Sequence, residues 1–94
     1  MHARTALRVS VRSNCVAVCS ALGVETALVS EEELKEGFRF VYGRAKLACE
    51  AAGAATTAAL LAGKVELEPG DVVAAVVSGG NVAPETAAAI LAER

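Results

Sequence analysis

One apolar run, Asp71-Val72-Val73-Ala74-Ala75-Val76-Val77-Ser78-Gly79-Gly80-Asn81, restricts the folds open to this chain more than any other stretch. The six apolar residues from Val72 to Val77 have the length of a buried strand, and four of them are valines, whose branched Cβ favours a pleated surface. With apolar residues on both faces, the run predicts a central strand in a parallel or mixed sheet covered on both sides. It stops at Ser78-Gly79-Gly80-Asn81, where glycine lets the backbone turn tightly. Open α/β sheets bind ligands at that edge, so Ser78 and Asn81 are the first polar side chains to consider.

The rest of the chain is short for such an architecture. Its 94 residues can bury only a small core; 54% are hydrophobic, mostly Ala and Val, and Phe38, Phe40 and Tyr42 are the aromatics. Nine basic and 11 acidic residues give a formal charge of -2 with no long block of either sign, which disfavours nucleic-acid binding. Arg4, Arg8 and Arg12 recur at helical spacing, but no aromatic platform or long apolar face accompanies them, and a solvated face or arm is expected. Cys15, Cys19 and Cys49 fit neither a disulfide framework nor a zinc site, and with His2 as the sole histidine no metal is expected. Small buried thiols are the reading of these cysteines. No apolar segment has transmembrane length, and residues 1–23 lack the apolar core of a signal peptide, so a cytoplasmic protein is expected.

Taken in order, residues 1–12 read as an arm or incomplete strand, and a short helix is predicted from Ser13 or Asn14, with Val16, Cys19, Ala17 and Leu22 inward and Gly23 stopping it. Val24 to Val29 reads as a brief marginal strand. Ser30 followed by Glu31, Glu32 and Glu33 is a capping box that opens a helix over 31–46, with Leu34, Phe38, Val41 and Ala45 on one face. Gly37 and Gly43 interrupt that helix and are positions where a neighbour can come close. A second, alanine-rich helix is predicted from Ala52 to a stop at Gly63, with Glu50 at its entrance as a dipole partner or a site residue. Pro69-Gly70 marks a turn, and Pro84 opens a terminal helix. The predicted order is strand, helix, helix, strand, helix, in one piece.

Ser78-Gly79-Gly80-Asn81 could cradle an anion, yet it lacks the lysine of a phosphate-binding loop and the glycine spacing of a dinucleotide fold. Ser78 has no base nearby in sequence and no GxSxG elbow, which argues against a hydrolase. Its hydroxyl is open to two uses, closing its own turn or hydrogen-bonding a bound ring or carboxylate.

Three separated stretches resemble one enzyme family in order: Val29-Ser30-Glu31-Glu32-Glu33-Leu34, Lys46-Leu47-Ala48-Cys49-Glu50-Ala51-Ala52-Gly53-Ala54-Ala55, and Val76-Val77-Ser78-Gly79-Gly80-Asn81-Val82 with Pro84-Glu85-Thr86. Together they are similar to the C-terminal part of the catalytic domain of threonine/serine dehydratases and serine racemases, pyridoxal-phosphate enzymes of the tryptophan synthase β-chain fold. The resemblance covers residues 24–94 and leaves 1–23 poorly matched; the family commonly has proline where Ala51 stands. It implies an α/β three-layer fragment in which Ser78 hydrogen-bonds the pyridine nitrogen of the cofactor, Gly79 and Gly80 shape the turn around the ring, Asn81 helps fix it, and Glu50 lies near the pocket.

The same resemblance identifies what the 94 residues lack: a Ser-x-Lys segment for the Schiff base, an asparagine-bearing substrate-carboxylate loop and a glycine-rich phosphate loop. Lys35, Lys46 and Lys64 stand in other contexts. A fragment inactive by itself is therefore expected, with no catalytic residue of its own, negligible cofactor binding, and self-association or a missing catalytic-domain portion as partners. In the complete enzyme the substrate would be a small hydroxy-amino acid. A non-enzymatic interaction or regulatory module using the same turn is the alternative.

Overall fold

A computed structural model describes residues 21–23 and 25–93. Its helical elements are α1 (Glu31–Phe40), continued by a π-helical turn (Val41–Ala45), a 3-10 turn (Ala51–Ala54) running into α2 (Ala55–Leu61), and α3 (Pro84–Ala92). The arm at residues 1–12, the helix predicted from Ser13, and Val24 lie outside the described residues. Gly23 does adopt the left-handed conformation of a stop, with φ +76°. Leu22, expected inward, is exposed.

α1 starts where its capping signal stands. Ser30 Oγ accepts from Glu33 N–H at 3.1 Å, and Ser30 N–H donates to Glu33 Oε1 at 2.8 Å, so two otherwise orphaned donors are satisfied reciprocally. Phe38 and Val41 are buried as the helical period requires, and Leu34 is half-buried. Ala45, expected on the same face, is exposed. The wider π turn over 41–45 changes the angular step and carries Ala45 off the stripe. Lys46 closes that turn in the left-handed region, φ 59°, and its N–H donates to the Val41 carbonyl.

The alanine-rich helix packs against α1 at Gly37. A Cβ at Gly37 would stand 2.8 Å from Ala58 Cβ and 2.9 Å from the Ala54 carbonyl oxygen, so only glycine allows this approach of the two backbones. Gly43, the other glycine of the first helix, faces open space. α2 ends in a Schellman arrangement: Gly63 (φ +71°) donates to the Leu60 carbonyl at 3.2 Å, and Lys64 donates to the Ala59 carbonyl at 2.9 Å. Pro69-Gly70 forms the predicted turn. Asp71 N–H donates to the Glu68 carbonyl at 3.0 Å, and Gly70 has φ +90°.

α3 begins with Pro84 at its first turn, as predicted, and is clasped to α1 at its other end. Arg39 Nε donates to the Ile90 carbonyl at 2.9 Å, and Lys35 Nζ lies 3.0 Å from the Glu93 carboxylate. Cations of α1 thus meet the negative end of α3. Phe38, Val41, Cys49, Ala54 and Ile90 form the core, with Val77, Val82, Ala87 and Leu91 against it.

The α/β three-layer arrangement is not formed by the described residues. They contain helices and, apart from an isolated bridge at Thr26, no strand; residues 72–83 run without regular structure, and 25–29 do not make the predicted marginal strand. Val72 is 64% and Val76 74% exposed, the reverse of the two-sided burial that the run predicts. A central strand needs a hydrogen-bonded neighbour along its edges and a layer over each face. Here only Val77 of the run reaches the core.

Candidate functional site

The candidate site is built where two distant stretches meet. Leu47 to Cys49 leaves the π turn without regular structure and delivers Glu50 in an extended conformation (φ -70°, ψ 158°) just before the 3-10 turn. Gly53 N–H donates to the Glu50 carbonyl at 2.9 Å, closing this entrance turn. Opposite it lies the end of the valine run. Glu50 N–H donates to the Gly79 carbonyl oxygen at 2.6 Å.

Gly53 is required at this junction by space, and Gly79 by its backbone conformation. A Cβ on Gly53 would overlap the Ser78 carbonyl oxygen and stand 2.8 Å from its carbonyl carbon. A Cβ on Gly79 would overlap the Glu50 carboxylate, and Gly79 has φ +76°, a conformation that L residues rarely adopt. The fold therefore brings together Glu50, Ser78 and Gly79, three of the five residues singled out from the sequence, and adds Gly53. Gly80 and Asn81 follow on the exposed side, and a Cβ at Gly80 would meet open space.

The chemistry within reach is limited and specific. Ser78 offers an exposed neutral hydroxyl at the rim of the turn, suited to one hydrogen bond with a ring nitrogen or a carboxylate. Cys49, adjacent to Glu50, is a free thiol buried in the core. Burial pushes its ionisation above the ordinary thiol value, and the Glu50 carboxylate pushes it further the same way, so it stays a neutral packing group rather than a nucleophile. Cys15 and Cys19 lie outside the described residues. Among the described residues no cluster of His, Cys, Asp or Glu is disposed to hold a metal ion, and no helix is long and apolar enough to cross a membrane. An open groove between α1 and α2, lined by Glu32, Glu36, Phe40, Arg44 and Leu61, involves none of the candidate residues.

Sequence reasoning missed two features. Gly53 was passed over as one more small residue, although a glycine three positions after Glu50, at the start of an alanine helix, is the signal of a close backbone approach. The clasp of Lys35 and Arg39 on α3 was also missed, since i,i+3 pairing with Glu32 and Glu36 already accounts for both cations.

Comparison with known proteins finds relatives of part of the chain. Over 60 residues, 62% of the chain, it is 48% identical to the L-threonine dehydratase catabolic TdcB of Staphylococcus aureus strain N315. The protein of the same name from strain USA300 is 49% identical over 61 residues. The chain spans about 17% of the length of these relatives. No family model and no solved structure matches.

Proposed function

We propose that the chain is the part of a pyridoxal-phosphate-dependent, threonine dehydratase-like lyase that presents Ser78 to the cofactor ring. One observation carries the reading. Two of the three stretches that resemble the family, 46–55 and 76–82, are joined by the Glu50–Gly79 hydrogen bond and by glycines that interlock at Gly53 and Gly79. The names of the relatives favour a dehydratase over a racemase, and threonine or a similar small hydroxy-amino acid as the substrate of the complete enzyme.

The residues fit one side of such a cofactor. Ser78 carries an exposed hydroxyl, and Gly80, two residues on, has open space where a side chain would stand, so a flat ring can approach from that side. The bound cofactor would supply the electron sink for the loss of the α-proton and the β-hydroxyl. Ser78 would accept or donate a single neutral hydrogen bond at the pyridine nitrogen, leaving that nitrogen less electron-withdrawing than an acidic partner would. The valine run would become the central strand of the α/β sheet when neighbouring strands of the complete enzyme pair with its edges and helices cover its faces. By itself the chain is inactive in this reading, because the 94 residues carry no Ser-x-Lys and no tetraglycine loop, and a neutral hydrogen bond contributes only about 0.5 to 1.5 kcal/mol.

The test is a graft. The matching stretch of the Staphylococcus aureus L-threonine dehydratase is replaced by that of this chain, and threonine turnover and the cofactor absorbance are compared with and without Ser78→Ala. The grafted enzyme is expected to turn over threonine, and Ser78→Ala to shift the absorbance and lower turnover roughly tenfold at most, the loss of one such bond. A graft that binds cofactor while Ser78→Ala alters neither readout would sink the assignment.

A further inference from the structure

We propose that Glu50 is a positioning residue: with Gly53 it seats the Ser78–Gly79 turn, and so aims the Ser78 hydroxyl, instead of contacting the cofactor itself. The inference rests on the reading of Ser78 above and adds the part of the chain that orients it.

The peptide between Ser78 and Gly79 is held by its flanking carbonyls. On one side the Ser78 carbonyl lies against Gly53, whose missing side chain is what leaves room for it. On the other side the Gly79 carbonyl accepts the Glu50 N–H at 2.6 Å. Holding both carbonyl groups restricts the rotation of the backbone on either side of Gly79, and with it the direction of the Ser78 Cα–Cβ bond. The Glu50 side chain completes the seat. Its carboxyl carbon and Cγ stand 2.6 and 2.7 Å from where a Gly79 Cβ would be, so the carboxylate covers the open face of Gly79.

The seat is braced from outside the turn. The Gly53 N–H bond to the Glu50 carbonyl makes 50–53 one unit, and buried Cys49 and Ala54 on either side tie that unit to the core. A residue held this way acts on the site through Gly79.

Backbone nuclear magnetic resonance of the full chain tests the proposal, using Gly53→Ala, Glu50→Ala, Glu50→Gln and Ser78→Ala. Gly53→Ala is expected to displace the Ser78 and Gly79 resonances and to speed exchange of the Glu50 amide roughly tenfold, while Phe38 and Ala59 keep theirs. Glu50→Ala is expected to move the Ser78 and Gly79 resonances, and Glu50→Gln, which keeps the shape, to restore them. Ser78→Ala leaves Glu50 exchange unchanged, so a failed cofactor contact in the graft and a failed seat are separate results. The proposal is overturned if Gly53→Ala and Glu50→Ala both leave Ser78 and Gly79 in place, or if Glu50→Ala disturbs α1 as much as the turn. Should Gly53→Ala not fold, the Glu50 pair decides by the same criterion.

Discussion

Phe38 in the largely charged α1 is 1% exposed, and Val76 in the wholly apolar valine run is 74% exposed. What differs is where each element finds its partners. A helix satisfies its backbone internally and needs cover on one stripe, which α2 provides about 20 residues later through the Gly37–Ala58 contact. A two-sided strand needs hydrogen-bonded neighbours and a layer on each face, and the described residues provide it with little more than the contact at Val77. Local signals therefore complete one region, and the other has the composition of a core without the neighbours.

The comparison is broken most severely from the helical side. Phe38→Ala should cost about 3 to 5 kcal/mol, which for so small a core should abolish cooperative thermal unfolding. Gly37→Ala comes next. The added methyl improves helix propensity by about 1 kcal/mol, but it meets Ala58 and the Ala54 backbone, and overpacking of about 1 to 3 kcal/mol should win. A denaturation midpoint above that of the parent chain would show that the helices separate freely.

Smaller effects sharpen it. Ser30→Ala should cost about 1 kcal/mol by removing the cap. The Glu33 carboxyl is held below its ordinary value of 4.5, first by the Ser30 backbone N–H and then by the Lys64 charge. Its contribution is therefore complete above that ordinary value and is lost as pH falls through the lowered one. Far-ultraviolet circular dichroism should show helix content falling on acidification, and the part of that fall due to Glu33 should vanish in Glu33→Gln. The smallest effect belongs to the valine run, where Val76→Thr should change stability by less than about 0.5 kcal/mol, because the side chain is already in water.

The legible part of the fold was the part with local causes. Ser30 and Glu33 announce the start of α1, Gly63 the end of α2, and Pro69-Gly70 the turn, because each acts through residues within a few positions. Phe38 was placed inward by period alone, and Ala45 was misplaced because nothing in the pattern foretold the π turn. The valine run was misjudged since its composition describes the environment it suits, and that environment is not supplied by the described residues. At the candidate site, Ser78, Gly79 and Glu50 were singled out through their motifs, but what brings them together, a close approach at Gly53, depends on residues 25 positions apart, and the sequence around Gly53 does not name its partner.

Amide hydrogen exchange across the full chain tests the contrast between the two regions most directly. The account predicts slow exchange at Val41 and Ala62, whose N–H groups are bonded within their helical turns, and at Glu50, bonded to Gly79, together with exchange near the free-chain rate over 73–76. Protection over 73–76 equal to that at Val41 would contradict it, since the valine run would then be a paired strand in the chain as it stands.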